Sequence, residues 1–208
     1  MTPSWAEPVG ERVLMSWQGT CFFSAMRQAV FLERDGILNL CDTVNGEQVA
    51  PLRCERFRIN PAARKALEDL KAAGFVLIVT TNQPAVAQGI LPRRELERMH
   101  TLLFRQLPID DIFVCPHSDW THPSCKPQPG MFLEAGFKWG IDLDQSFVIS
   151  DKEADAKAAQ IAGCTSVMVR SPWIGSEFHD FVVEDLPGAA QRILELLATN
   201  YARNEASL

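Results

Sequence analysis

The stretch Gln28-Ala29-Val30-Phe31-Leu32-Glu33-Arg34-Asp35-Gly36 decides how the rest of this 208-residue chain is read. Its apolar run at 29–32 is continuous rather than alternating, as a strand buried on both faces requires, and it breaks at a polar tetrad that ends in glycine. Moving outward, Asn60-Pro61 supplies an N-cap and a first-turn proline. Ala62, Ala66, Leu67, Leu70 and Ala73 then form a helical stripe that Gly74 ends. A second buried strand follows at 75–80, and Pro92 opens a helix with Leu96, Met99, Leu102 and Leu103 on one face. A third strand at 112–114 leads into an irregular loop from Cys115 to Gln128. Beyond it come a helix near 130–138, a strand at 147–150, an alanine-rich helix at 151–162, and strands at 166–169 and 181–183. Leu186, Ala190, Ile193, Leu194 and Leu197 mark a closing amphipathic helix. Strands alternating with helices predict an α/β fold, a mostly parallel sheet with helices on both faces. The expected organisation is an N-terminal extension at 1–27, one domain at 28–198 and a C-terminal tail at 199–208.

Composition narrows the function classes. With 47% hydrophobic and 22% charged residues the chain can bury a sizeable core, and its net charge of −6 comes from 26 acidic against 20 basic residues without a basic run. Nucleic acid is therefore not expected as a partner. No apolar stretch approaches the ~18 residues of a membrane span, and Glu7, Glu11 and Arg12 break up any signal-peptide pattern. A cytoplasmic protein without membrane partners is expected, as a monomer or small homo-oligomer. Four of the six cysteines lie far apart, so a disulfide framework is not expected.

In open parallel sheets the ligand lies beyond the C-terminal ends of the strands. The residues there are Glu33 and Asp35 after the first strand, Thr81-Asn82-Gln83 after the second, and Asp151-Lys152 with Asp155 after the fourth; Lys126 precedes the third helix. Carboxylates can hold a hard cation through oxygen, lysine and hydroxyl groups suit phosphate oxygens, and a carboxylate can attack phosphorus. Taken singly, Asp151 is a helix cap and Thr-Asn-Gln is turn chemistry. Their order and common placement point to a phosphate site.

The segments AVFLERDGILN, TTNQPAVAQGI, CKPQPGMF and ISDKEAD, in this order, resemble the four motifs of the haloacid dehalogenase superfamily of phosphatases. They are most similar to the small subfamily of heptose bisphosphate and histidinol-phosphate phosphatases. The resemblance covers about residues 28 to 198. It implies a Rossmann-like three-layer α/β/α domain without a large cap, and Mg²⁺-dependent hydrolysis of a small phosphorylated metabolite, most typically a sugar phosphate, through an acyl-phosphate. By the same resemblance, Glu33 stands at the nucleophile position, and Asp35 is the general acid and base. Thr81 and Asn82, with Gln83 beside them, hold the phosphoryl group, and Lys126 balances its charge. Glu33, the backbone carbonyl of Asp35 and Asp151 bind Mg²⁺, with Lys152 and Asp155 in support.

Two positions depart from the family pattern. Position 33 is glutamate rather than aspartate, which carries the carboxylate about 1.3 Å further out; a misplacement of about 1 Å can cost on the order of 10²-fold in rate. A slow phosphatase, a site shifted to suit the longer side chain, and a catalytically inactive protein that binds a phosphorylated ligand or a protein partner are all open. Gln88 precedes Gly89 where the subfamily has a basic residue suited to a second anionic group, which weighs against a bisphosphate. A third feature is the loop bearing Cys115, His117, His122 and Cys125. It resembles the structural zinc loop of some subfamily members in its first half but not in the spacing of its second; a Cys₂His₂ zinc site and a degenerate, metal-free loop are both open. The basic patch Arg53-Cys54-Glu55-Arg56-Phe57-Arg58 is read either as a substrate contact or as a solvated edge. The aromatic N-terminal extension, with Trp5, Trp17, Phe22 and Phe23, has no assigned role.

Overall fold

The computed structural model describes residues 26–205 apart from 176, together with the backbone of residues 14–15 and 21–22, which pair as two short antiparallel strands. The aromatic extension otherwise lies outside the described residues. Six strands make the central sheet: β1 (Ala29–Leu32), β2 (Val76–Asn82), β3 (Asp111–Cys115), β4 (Phe147–Ser150), β5 (Thr165–Val169) and β6 (Phe181–Val183). All neighbours are parallel, in the order β6-β5-β4-β1-β2-β3. The chain moves outward from β1 through β2 to β3, then returns to the other side of β1 at β4. That reversal opens a crevice at the C-terminal end of β1, where open α/β sheets bind ligands.

The helices are α1 (Ala63–Ala72), the single turn α2 (Pro84–Ala87), α3 (Arg93–Gln106), α4 (Gly130–Trp139), α5 (Glu153–Ala162) and α6 (Leu186–Glu205). Period-two alternation sorts the continuous apolar runs onto two cores. Val30, Leu32, Leu77, Val79 and Ile149 meet α1, α3 and α6 through Leu67, Leu70, Met99, Leu103 and Ile193. Ala29, Phe31, Val76, Ile78 and Val148 meet α4 and α5 on the opposite face. There Phe31 and Phe132 pack edge to face at 4.9 Å, and the small stripe Ala158, Ala159 and Ala162 lets α5 lie close to the sheet. The α/β/α architecture expected from the sequence is the one observed. Among the described residues no helix is long and apolar enough to cross a membrane.

Differences from the sequence reading are local. Strand β2 runs two residues further than expected, so Thr81 and Asn82 lie within it and their backbone is paired to β3 rather than free in a turn. Strand β3 likewise takes in Cys115. Helix α6 continues to Glu205, through most of the stretch expected to be a tail. The 33–62 connection also carries small antiparallel pieces, Asp42–Val44 with Glu47–Val49 and Asn39–Leu40 with Arg58–Ile59. Asn45 and Gly46 both have positive φ, 53° and 83°, as the tight hairpin between the first two strands requires.

The 116–129 segment sets the height of Lys126. It folds back on itself through Cys125 N–H to His122 O at 2.8 Å and Gly130 N–H to Pro123 O at 3.0 Å. A Cβ on Gly130 would stand 2.3 Å from the Pro123 carbonyl oxygen, so only glycine allows the loop to close onto the start of α4. Gly130→Ala is expected to destabilise the fold by about 1–3 kcal/mol through this backbone clash. A urea unfolding midpoint equal to that of the native protein would show that the loop yields instead.

Candidate active site

Four elements converge beyond the sheet's C-terminal edge. Glu33 directly follows β1 and stays in the ladder, its N–H donating to Ile149 O at 3.0 Å. Its side chain therefore projects from a fixed point into the crevice, and it is 3% exposed. Carboxylate atom Oε1 accepts from Arg34 N–H at 2.9 Å, Asp35 N–H at 3.2 Å and the Thr81 hydroxyl at 3.0 Å. Atom Oε2 meets the ammonium of Lys126. That ammonium, 1% exposed, also donates to Thr80 O at 2.8 Å and to Asp155 Oδ1 at 2.5 Å.

Burial opposes charge on every member of this trio, and attraction between opposite charges prevails at Glu33 and Lys126. At Glu33 burial would raise the pKa, and the neighbouring Lys126 and Lys152 more than offset it, holding the group near 2. Lys126 is raised, because Asp155 and Glu33 outweigh its desolvation. Asp155 goes the other way, to about 6, because burial and the nearby Glu33 charge outweigh its attraction to Lys126. One ammonium cannot fully compensate two buried carboxylates, so the second is the easier to protonate.

The expected site residues are brought together, but several take parts other than those expected. Asn82 clasps the backbone of Lys126, with its amide donating to Lys126 O at 3.0 Å and its Oδ1 accepting from Lys126 N–H at 3.1 Å. It positions the lysine and does not aim its amide oxygen at the crevice. Gln83 bridges Asp35 Oδ2 at 2.7 Å and Thr81 Oγ1 at 3.0 Å. Asp155 pairs with Lys126.

The oxygens around Lys152 have a cation-binding layout. Lys152 Nζ lies 2.6 Å from the Asp35 carbonyl oxygen, 3.6 Å from Asp151 Oδ1 and 3.9 Å from Glu33 Oε1. Asp151 Oδ1 is buried without a hydrogen bond, while its other oxygen accepts from Gln48 at 2.9 Å. Burial raises the Asp151 pKa. Four carboxylates at 33, 35, 151 and 155 face only three cations at 34, 126 and 152. An orphaned buried oxygen, an all-oxygen set and a deficit of positive charge together suit a hard divalent cation. Two carboxylates and one carbonyl make this set; among the described residues no three His, Cys, Asp or Glu side chains group as a metal site.

Of the two readings of the Cys/His loop, this favours the metal-free one. Cys115 and Cys125 are buried in the core beneath α4, whereas His117 and His122 stack on each other at 3.8 Å between ring centroids. Cys115, at the end of a strand, and Cys125 meet in the core, and among the described residues the four side chains form no metal-binding group.

Three contributors went unrecognised in the sequence. Gln48 reaches Asp151 from the hairpin at 42–49, which the Asn45-Gly46 pair could have signalled. Arg34, fully buried, grips Asp35 through Nε at 3.2 Å and Nη2 at 3.0 and 2.9 Å, stacks over Phe57 at 5.6 Å and donates from Nη1 to His100 Nε2 at 3.3 Å. Since arginine only donates, His100 Nε2 must accept, and the ring is neutral. The basic patch divides, with Arg58 paired to Asp42 at the surface and Glu55 to Arg98. A cavity bounded by Gln28, Phe147, Thr165 and Asp180 lies at the opposite, N-terminal end of the sheet, away from all this chemistry.

Burial first, and then the Arg34 charge, hold the pKa of His100 down to about 4. Its contribution to stability is present above the unfolded value near 6.5 and is lost as pH falls from there through about 4. That loss is about 2 kcal/mol after allowance for partial exposure. His100→Gln keeps an acceptor for Arg34 without a titrating ring, so its stability is expected to fall less steeply between pH 7 and pH 4. Parallel native and variant curves in denaturant titrations across this range would contradict it.

A family model described as haloacid dehalogenase-like hydrolase matches residues 10–163. The chain is 35% identical over 150 residues to D-glycero-beta-D-manno-heptose-1,7-bisphosphate 7-phosphatase of Rhodopseudomonas palustris, covering 66% of this chain and 80% of that protein. It is 30% identical over 188 residues to the protein of the same name from Pasteurella multocida, covering 83% and 94%. Among solved structures, D,D-heptose 1,7-bisphosphate phosphatase from B. bronchiseptica, complexed with magnesium and phosphate, superposes with a TM-score of 0.66 at 24% identity, covering 81% of this chain and 98% of that one.

Proposed function

We propose that this chain, which belongs to the haloacid dehalogenase-like hydrolase family, hydrolyses a small phosphorylated sugar in an Mg²⁺-dependent reaction through an acyl-phosphate on Glu33. The observation that carries the reading is the convergence of Arg34 N–H, Asp35 N–H, the Thr81 hydroxyl and the Lys126 ammonium on one point beyond β1. Four donors aimed at a single small anion suit the oxygens of a transferring phosphoryl group.

Mg²⁺, held by Glu33, the Asp35 carbonyl oxygen and Asp151, would supply positive charge to the phosphoryl oxygens. Lys152, whose ammonium now lies among those three oxygens, swings toward solvent to admit it. A Glu33 oxygen attacks phosphorus as the bond to the leaving oxygen breaks, and Asp35 gives that oxygen its proton. Asp35 then takes a proton from water as the water oxygen attacks phosphorus, which releases phosphate and restores the Glu33 carboxylate. Arg34 and Gln83 orient Asp35, and Thr81 and Lys126 hold the phosphoryl oxygens. Relatives are named for a heptose bisphosphate, but the neutral, exposed Gln88 stands where the subfamily has a basic residue, so we read the substrate as a sugar monophosphate.

Purified protein is expected to hydrolyse sugar phosphates slowly with Mg²⁺, and Glu33→Asp to raise kcat by about 10- to 10²-fold by restoring the reach of the attacking oxygen. The engagement of both Glu33 oxygens favours a second reading, a catalytically inactive binder. That reading prevails if the native protein shows no turnover and Glu33→Asp does. Absence of hydrolysis by both across a panel of phosphorylated sugars would reject the substrate class.

A further inference from the structure

Glu33 does more than stand at the nucleophile position. Its carboxylate is planar and anionic, about the size of two oxygens of a phosphoryl group, and it takes up the whole donor set described above. Oxygen Oε1 alone accepts three hydrogen bonds, from Arg34 N–H, Asp35 N–H and Thr81, although it has two lone pairs. Oxygen Oε2 takes the Lys126 ammonium, and Lys152 flanks the group at 3.9 Å. The backbone amides of residues 34 and 35 follow Glu33 directly in the chain, whereas Thr81 and Lys126 lie across the crevice, and the longer stem of glutamate carries one carboxylate onto all four at once. The result is a cradle whose four donors all engage Glu33, with almost no exposure.

We propose that Glu33 is the resident anion of its own phosphate cradle, so that a phosphoryl group binds only by displacing this side chain. The inference rests on the function proposed above, because it takes the donors around Glu33 to be phosphate ligands. The resting protein is then self-blocked. The apparent affinity for phosphate is reduced by the fraction of molecules in which Glu33 has left, as for any ligand that needs a minor conformer. Displacement does not strand a buried cation, since Lys126 keeps Asp155 at 2.5 Å and Thr80 O at 2.8 Å. The site can therefore open without unfolding, and shortening residue 33 should leave a formed cradle with its donors free.

The test compares binding of inorganic phosphate, with Mg²⁺ in excess, to the native protein, Glu33→Asp and Glu33→Ala by isothermal titration calorimetry. Thermal denaturation with and without phosphate serves as a second readout. Glu33→Asp keeps the charge and withdraws its reach, so it separates occupancy from plain repulsion between anions. Both variants are expected to bind phosphate at least about tenfold more tightly than the native protein, and to gain more thermal stability from it. Glu33→Asp also retains the charge partner of Lys126, so it carries the comparison if Glu33→Ala does not fold. If Glu33→Asp binds phosphate no better than the native protein, self-occupancy is overturned, and binding by all three then leaves the phosphatase reading intact. If none of the three binds phosphate, the phosphatase reading falls, and this inference with it.

Discussion

The ammonium of Lys126 is buried at the meeting point of β1, β2 and α5, and the site depends on it. It reaches Glu33 beyond β1, Thr80 O within β2 and Asp155 in the first turn of α5, from a loop that none of these elements contains. A buried ammonium without acceptors costs several kcal/mol, and so do two buried carboxylates without a cation. Each charge of the trio is therefore tolerable only beside a partner of opposite sign within it. Asn82 ensures the match by holding the backbone of Lys126 on both sides, and Gly130 allows the loop to fold tightly enough to deliver it.

A second layer of charge surrounds this one. Arg34 carries no solvent exposure, and it is accommodated by Asp35, by the face of Phe57 and by a neutral His100. Asp35 thereby faces the crevice between two donors, Arg34 and Gln83, that fix its orientation. Lys152, just before α5, reaches the Asp35 carbonyl oxygen. The cluster remains one positive charge short, and within it Asp151 Oδ1 is buried without a hydrogen bond.

Most of the fold was legible from the chain alone. Continuous four- to six-residue apolar runs mean strands covered on both faces, and stripes at helical spacing between them mean helices that do the covering; the two cores on either side of the sheet follow from that pattern. The site residues were legible because strand C-terminal ends gather at one edge. What the sequence did not disclose was the partner of each polar side chain. Asn82 was expected to face the ligand and instead holds Lys126, since extension of β2 by two residues turns it toward the 116–129 loop. Four zinc-type ligands within eleven positions left a metal loop open, but pairing of Cys115 into β3 sends its thiol into the core, and among the described residues no metal-binding group forms.

The sequence by itself determined the α/β layering, the placement of the polar residues at one edge and the substitution of glutamate at position 33, because these depend on local periodicity and side-chain identity. Only the tertiary structure decided that this glutamate fills the cradle of donors around it. The three groups that meet its carboxylate from outside its own turn, Thr81, Lys126 and Lys152, lie 48 to 119 positions away in the chain, and only the order in which the strands assemble sets their distances. One methylene is a small change in a list of residues, yet in a packed crevice it determines which atoms a carboxylate can reach.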